Sequence, residues 1–117
     1  MAQKTKIREI SIHESHGVFS ILRRFGGKEE YDFKGLSEFR QILSNEKARI
    51  LDVIKNQKPS SIYSLSKMLG RNFKSVQQDI KLLEKFGFIE LVKEKTKNRI
   101  RHRPEIVVDT IIVNIRV

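Results

Sequence analysis

Apolar residues recur at two different periods along the chain. In IREISIHE, Ile10 and Ile12 alternate with polar residues, as in a strand with one covered face. VFSILRRF is apolar enough to be buried, Gly26-Gly27 reads as a turn, and KEEYDF reads as a second short strand or edge segment. From Leu36 the period lengthens. LSEFRQIL sets Leu36, Phe39, Ile42 and Leu43 on one side of one or two helical turns. NEKARILDVIKNQ, capped by Ser44 or Asn45, carries Ile50, Val53 and Ile54 on its stripe. NQKPSS is a loop around Pro59. SIYSLSKML is then a short helix with Ile62, Leu65, Met68 and Leu69 inward. Past Gly87 the period returns to two: FIELVKE is a strand, TKN a hairpin turn, and RIRHR a return strand closed by Pro104. VVDTIIVNIRV, with Val107, Ile111, Val113, Ile115 and Val117 on one face, is a long C-terminal strand.

The centre of this pattern is a pair of helices. Gly70 supplies the left-handed residue that commonly ends a helix, and Asn72 caps the next one, which runs to about Phe86. A brief Gly-containing turn between two helices is the pattern of a helix-turn-helix unit. At about 100° per residue, Phe73, Val76, Ile80 and Leu83 share one stripe of the second helix. Lys74, Gln78, Lys81 and Lys85 lie opposite, with Ser75 and Gln77 at the margins. A solvated face would account for the lysines. The paired amides suit the reading of an adenine edge, and the reading helix of such a unit is its second.

Composition sharpens this picture. The chain has 117 residues, enough for one domain with a short extension, and 24 Lys and Arg against 14 Asp and Glu give a net charge of +10. That excess suits a polyanionic partner. No cysteine is present, which excludes disulfides and thiolate metal sites or nucleophiles. No apolar run approaches the roughly 20 residues of a membrane span, and no apolar signal-peptide core follows the basic N-terminus, so a cytoplasmic protein is expected.

The cations concentrate in LVKEKTKNRIRHR. Lys93, Lys95 and Lys97 align on alternate positions of one strand, and Arg99, Arg101 and Arg103 on the other, against the single acid Glu94. An edge strand guarded against aggregation rarely needs six cations, so the ribbon reads as a phosphate clamp whose tip can enter a minor groove.

SIYSLSKMLGRNFKSVQQDIKLLEKFGFIEL resembles the second and third helices and the start of the wing in winged helix-turn-helix regulators of the broad MarR/ArsR-like group, and small predicted archaeal regulators in particular. The resemblance rests on Ser61-Ile62, Leu65-Ser66, Leu69-Gly70-Arg71, Phe73, Lys74, Val76, Asp79, Leu83 and Gly87-Phe88-Ile89. Ser66 replaces the usual alanine and Phe88 the usual leucine. The resemblance covers about residues 44–103. It implies a homodimer on a short, roughly palindromic site near a promoter.

The expected protein is therefore α+β, a winged helix-turn-helix with an N-terminal extension (1–36) and a DNA-binding domain (37–117) that ends in the long strand. The N-terminal segment and the strand 105–117 could pair to extend the sheet or join two subunits. Its expected function is sequence-specific binding of double-stranded DNA in transcription regulation, in the cytoplasm and on the nucleoid. Helix 72–86 would enter the major groove, with Asn72, Lys74, Ser75, Gln77, Gln78 and Lys81 facing bases or flanking phosphates. Arg71 and the hairpin cations Lys93, Lys95, Lys97, Arg99, Arg101 and Arg103 would grip the backbone of the DNA. A nonspecific nucleoid or chromatin protein, or a winged-helix protein-interaction module of transcription machinery, are the alternatives. No carboxylate pair, phosphate loop or Ser/His/Asp arrangement suggests catalysis, and nothing calls for a cofactor, a metal or a small-molecule effector. His13 and His16 (HESH) have a spacing open to a metal but lack further ligands. His102, among arginines, reads as a phosphate neighbour. Tyr31, Phe33 and Phe39 read as a packed aromatic cluster, and Phe73 as core.

Overall fold

Alternation in IREISIHE does produce a strand, and its partners come from both ends of the chain. The computed structural model describes residues 6–25 and 28–117, with only the backbone of residues 23–25, 28–31 and 33. In chain order the elements are β1 (Ile7–Ser15), β2 (Val18–Phe25), β3 (Lys28–Asp32), α1 (Phe33–Ile42), α2 (Asn45–Gln57), α3 (Ile62–Leu69), α4 (Phe73–Lys85), β4 (Ile89–Thr96), β5 (Arg99–Ile106) and β6 (Thr110–Arg116). The described residues thus form an α+β structure of four helices and two sheets. They divide into two units: the first runs to Gln41 and includes Val108–Val117, and the second is Ile42–Val107.

The sheet of the first unit has the order β3-β2-β1-β6. β1 and β2 are joined through His16 and Gly17, both at positive φ (53° and 81°), as a two-residue turn between right-twisted strands requires. Buried Ile12 faces buried Ile21 across this pair. On its other side β1 runs parallel to β6, with Ile10 beside Val113 and Ile12 beside Ile115. The C-terminal strand therefore extends the N-terminal sheet, one of the two pairings open to it. It is shorter than 105–117, because residues 105 and 106 belong to β5 and the strand begins at Thr110. Val113 and Ile115 lie on the same face as Ile10 and Ile12 but are 41% and 61% exposed, because β6 is an edge strand. HESH is split by the turn: His13 lies opposite Ser20 on β1, and His16 forms the bend. Among the described residues there is no group of three metal-ligating side chains.

The helix at Leu36 begins earlier than its apolar spacing predicts. The Asp32 carboxylate accepts from the Gly35 N–H at 2.7 Å, so α1 starts at Phe33 and shortens the strand before it. It stops at Ile42, which leaves Leu43 exposed in the link to α2 instead of on the buried side. Phe39 is buried as expected. The proposed cluster with Tyr31 and Phe33, and the Gly26-Gly27 turn, lie outside the described residues and side chains.

In the second unit Ile50, Val53 and Ile54 of α2, Ile62, Leu65 and Leu69 of α3, and Val76, Ile80 and Leu83 of α4 form the core with Phe86 and Ile89. Ser44 caps α2 through Lys47 N–H, and Ser61 caps α3 through Ser64 N–H. Met68 is exposed, because it lies about 110° round the helix from the stripe of Ile62, Leu65, Ser66 and Leu69. Ser66 is buried, and its hydroxyl donates to the Tyr63 carbonyl at 2.7 Å, so it fits a helix contact without an unpaired polar atom. β4 and β5 form an antiparallel ribbon in which Leu91 pairs with buried Pro104, so the return strand continues through the proline to Ile106.

Candidate nucleic-acid interface

The turn that joins α3 to α4 is Gly70-Arg71-Asn72. Gly70 sits at φ 65°, and the N–H groups of Gly70 and Arg71 donate back to the carbonyls of Lys67 and Ser66, which closes α3. Asn72 then opens α4, its Oδ1 accepting from the N–H of Lys74 (2.8 Å) and Ser75 (3.4 Å). Because that oxygen is committed to the cap, Asn72 keeps only its amide N–H₂ for a ligand. Two helices are thereby held a three-residue turn apart by purely local chemistry.

Along α4 the apolar stripe turns inward: Val76, Ile80 and Leu83 are fully buried. Lys74, Gln78 and Lys81 are exposed on the opposite side, and none has a side-chain partner among the described residues. Gln77 is half-buried beside them. Phe73 departs from its expected core position. Its angle round α4 is core-like, but it is the first residue of the helix and stands beyond the end of the core, 42% exposed. Its ring packs on Tyr63 of α3, with centroids 6.4 Å apart and planes tilted by 53°.

Arg71 is not on the open face. Its Nη2 donates to Asp79 Oδ2 and to Ser75 Oγ, both at 2.9 Å, and its Nη1 is buried without a partner. The other Asp79 oxygen pairs with Lys47 Nζ of α2 at 3.4 Å. The side chains of Lys47, Asp79 and Arg71 are 11%, 15% and 25% exposed. Arg71, expected on the DNA backbone, is instead a tie between the turn, α4 and α2, and it also occupies the hydroxyl of Ser75. Lys47 was missed by the sequence reading. It lies three residues before Ile50 on the buried stripe of α2, where a lysine needs an acidic partner from another element.

The register of the ribbon sorts its cations. Lys93 faces His102 and Lys95 faces Ile100, so the lysine row shares a face with Ile100 and His102. Arg99, Arg101 and Arg103 share the other face with Glu94 and Thr96. Arg103 is bound to Glu94 and, at 2.7 Å, to Glu105, so it is not free to clamp a phosphate. Lys93, Lys95, Lys97, Arg99 and Arg101 are exposed, and no described carboxylate is within ion-pair range of them. Between this ribbon and the starts of α3 and α4 lies an open groove of about 570 Å³, lined by Tyr63, Phe73, Gln77, Arg99, Ile100 and Arg101 among others.

The HVO_A0114 family model matches residues 42–113. The match spans α2, α3, α4 and the ribbon and reaches into β6. No curated protein matches the chain. Among the described residues, no helix is long and apolar enough to cross a membrane.

Proposed function

The chain belongs to the HVO_A0114 family, and we propose that it is a non-enzymatic, sequence-specific double-stranded DNA-binding protein that regulates transcription from the nucleoid. In this reading the second unit is a winged helix-turn-helix of the MarR/ArsR-like kind, with α4 in the major groove and the β4–β5 ribbon as its wing. One observation carries it: Lys74, Gln78 and Lys81 form an open, unpartnered face on the second of two helices joined by a tight turn. A helix fits the major groove, an amide can pair with an adenine edge, and ammonium groups at the margins reach phosphates. The free cations of the ribbon extend the same positive surface. A homodimer is part of the proposal, supported by the exposed Val113 and Ile115 on an edge strand whose outer side has no partner among the described residues.

A second reading has its own support. With the Asn72 oxygen used in its cap and Gln77 half-buried, Gln78 is the exposed amide of the face with both its oxygen and its N–H₂ unused among the described residues, and it is flanked by Lys74 and Lys81. That balance favours phosphate grip over base discrimination, as in a general chromatin protein. Selecting bound duplexes from a random pool, with affinity followed against salt, separates the two. A sharp motif supports regulation and a flat pool supports general coverage. Failure to bind any duplex at physiological salt would return the fold to a protein-interaction role.

A further inference from the structure

Large apolar side chains crowd the groove between the ribbon and the helix starts, and a duplex reader does not need them. Tyr63 is 58% exposed and Phe73 42%, and Ile100 stands out on the ribbon beside them. Lys67 Nζ lies over the Tyr63 ring, 4.8 Å from its centroid, which leaves the ring one face bearing charge. Arg99 and Arg101 also line the groove, and among the described residues no carboxylate is in ion-pair range of either. At about 570 Å³ the groove exceeds what a single phosphate oxyanion would fill, and it lies in the roughly 300–1,000 Å³ range of sites for small organic ligands.

Intact B-DNA offers a protein only base edges and phosphates, because the base faces are covered by their neighbours in the stack. Exposed rings flanked by unpaired arginines are instead the two components of a single-strand site, a stacking platform and a track for the backbone. We infer that this groove takes one unstacked nucleotide of DNA, its base against Tyr63 and Phe73 and its phosphates toward Arg99 and Arg101. The inference rests on the DNA-binding reading and adds to it a preference for duplexes with an unpaired nucleotide, at an overhang or a locally opened step.

The test compares the full chain on a blunt duplex and on the same duplex with a three-nucleotide overhang, by fluorescence anisotropy at one salt concentration. Stacking of one base predicts about 10-fold tighter binding to the overhang. Tyr63→Ala should abolish that preference while changing affinity for the blunt duplex less than about twofold, and Tyr63→Phe should retain it. Tyr63 is exposed, so both variants should keep the wild-type circular dichroism and melting profile. An overhang whose sugars carry no bases should bind like the blunt duplex. Equal binding of blunt and overhanging duplexes overturns the groove proposal and leaves duplex reading intact. A preference that survives Tyr63→Ala or loss of the bases assigns the effect to charge and overturns it as well. Binding of the overhang alone sinks the duplex reading instead, and binding of neither sinks both.

Discussion

Replacing Asp79 by alanine is the most searching perturbation of the helix pair. Its carboxylate lies between Lys47 Nζ at 3.4 Å and Arg71 Nη2 at 2.9 Å, and all three side chains are at least three-quarters covered. Removing one partner of a fully buried pair costs about 3–5 kcal/mol, whereas an exposed pair is worth about 0–1 kcal/mol. The two cations will not suffer equally. Arg71 is in a turn and a quarter exposed, so it can swing into water, but Lys47 is on the buried stripe of α2 and cannot follow. The unrecovered term is then one desolvated ammonium, and Asp79→Ala should cost about 2–3 kcal/mol. For a chain of this size that is a fall of about 8–15 °C in Tm.

Urea unfolding followed by far-UV circular dichroism measures the loss. Because the damage is the uncompensated charge of Lys47, adding Lys47→Met should restore more than half of it. On the DNA-binding proposal the same variant should also change binding. Arg71, released from Asp79, becomes available to a phosphate, so the slope of log K against log salt should steepen by about 0.9. A stability change below about 0.5 kcal/mol, within the range of an ordinary surface substitution, would show that the triad does not hold α4. Failure of Lys47→Met to rescue would show that the cost lies elsewhere.

Three further outcomes are expected. Gln78→Ala should reduce discrimination between selected and random duplex by about 1–3 kcal/mol, and an equal loss on both would assign Gln78 to the backbone. Lys95→Ala and Arg99→Ala should each flatten the salt slope by about 0.9, whereas Arg103→Ala, whose guanidinium is held by Glu94 and Glu105, should leave it unchanged. Val113→Lys with Ile115→Lys should convert a dimer to monomer in light scattering, and loss of dimer should also remove paired protection about 10 base pairs apart. A double variant that stays dimeric would move the interface away from β6.

What the sequence disclosed was what short-range chemistry decides. α2, α3 and α4 were legible, with Ser44 one of two candidate caps for α2, Gly70 ending α3 and Asn72 opening α4, since these residues act within a few positions of themselves. The Ser61 cap of α3 was not read, because that serine was counted into the helix. The division of α4 into an apolar and a polar side followed from its angle per residue. Angle does not give depth, however, and Phe73 has the right angle one turn too early. Arg71 was misjudged because its partner is two turns further along α4 and that partner's other ligand comes from α2. The pairing of β6 with β1 joins distant ends of the chain. Two strand-like segments left without partners suggested that they could pair, but their parallel register has no local signature. Arg103 is different: a two-residue turn at Lys97-Asn98 fixes which residues oppose which, so its proximity to Glu94 could have been read.

The resulting sorting of cations bounds the electrostatics of any complex. Once Arg71 and Arg103 are assigned to carboxylates, the candidate face retains Lys74, Lys81, Lys93, Lys95, Lys97, Arg99 and Arg101 as free charges. At about 0.9 per neutralised phosphate, those residues allow a salt slope no steeper than about 6 per protomer, or about 13 for a dimer. The register tightens this further. The lysine and arginine rows occupy opposite faces of the ribbon, and a ribbon lying flat on one backbone would engage one row only. A slope near the upper bound therefore requires the ribbon to stand edge-on between two phosphate walls, as in a minor groove, while a slope of about 4 to 5 per protomer means one row faces water. A steeper slope than the bound would require Arg71 or Arg103 to leave its carboxylate on binding, and Asp79→Ala or Glu94→Ala would then raise affinity for random duplex.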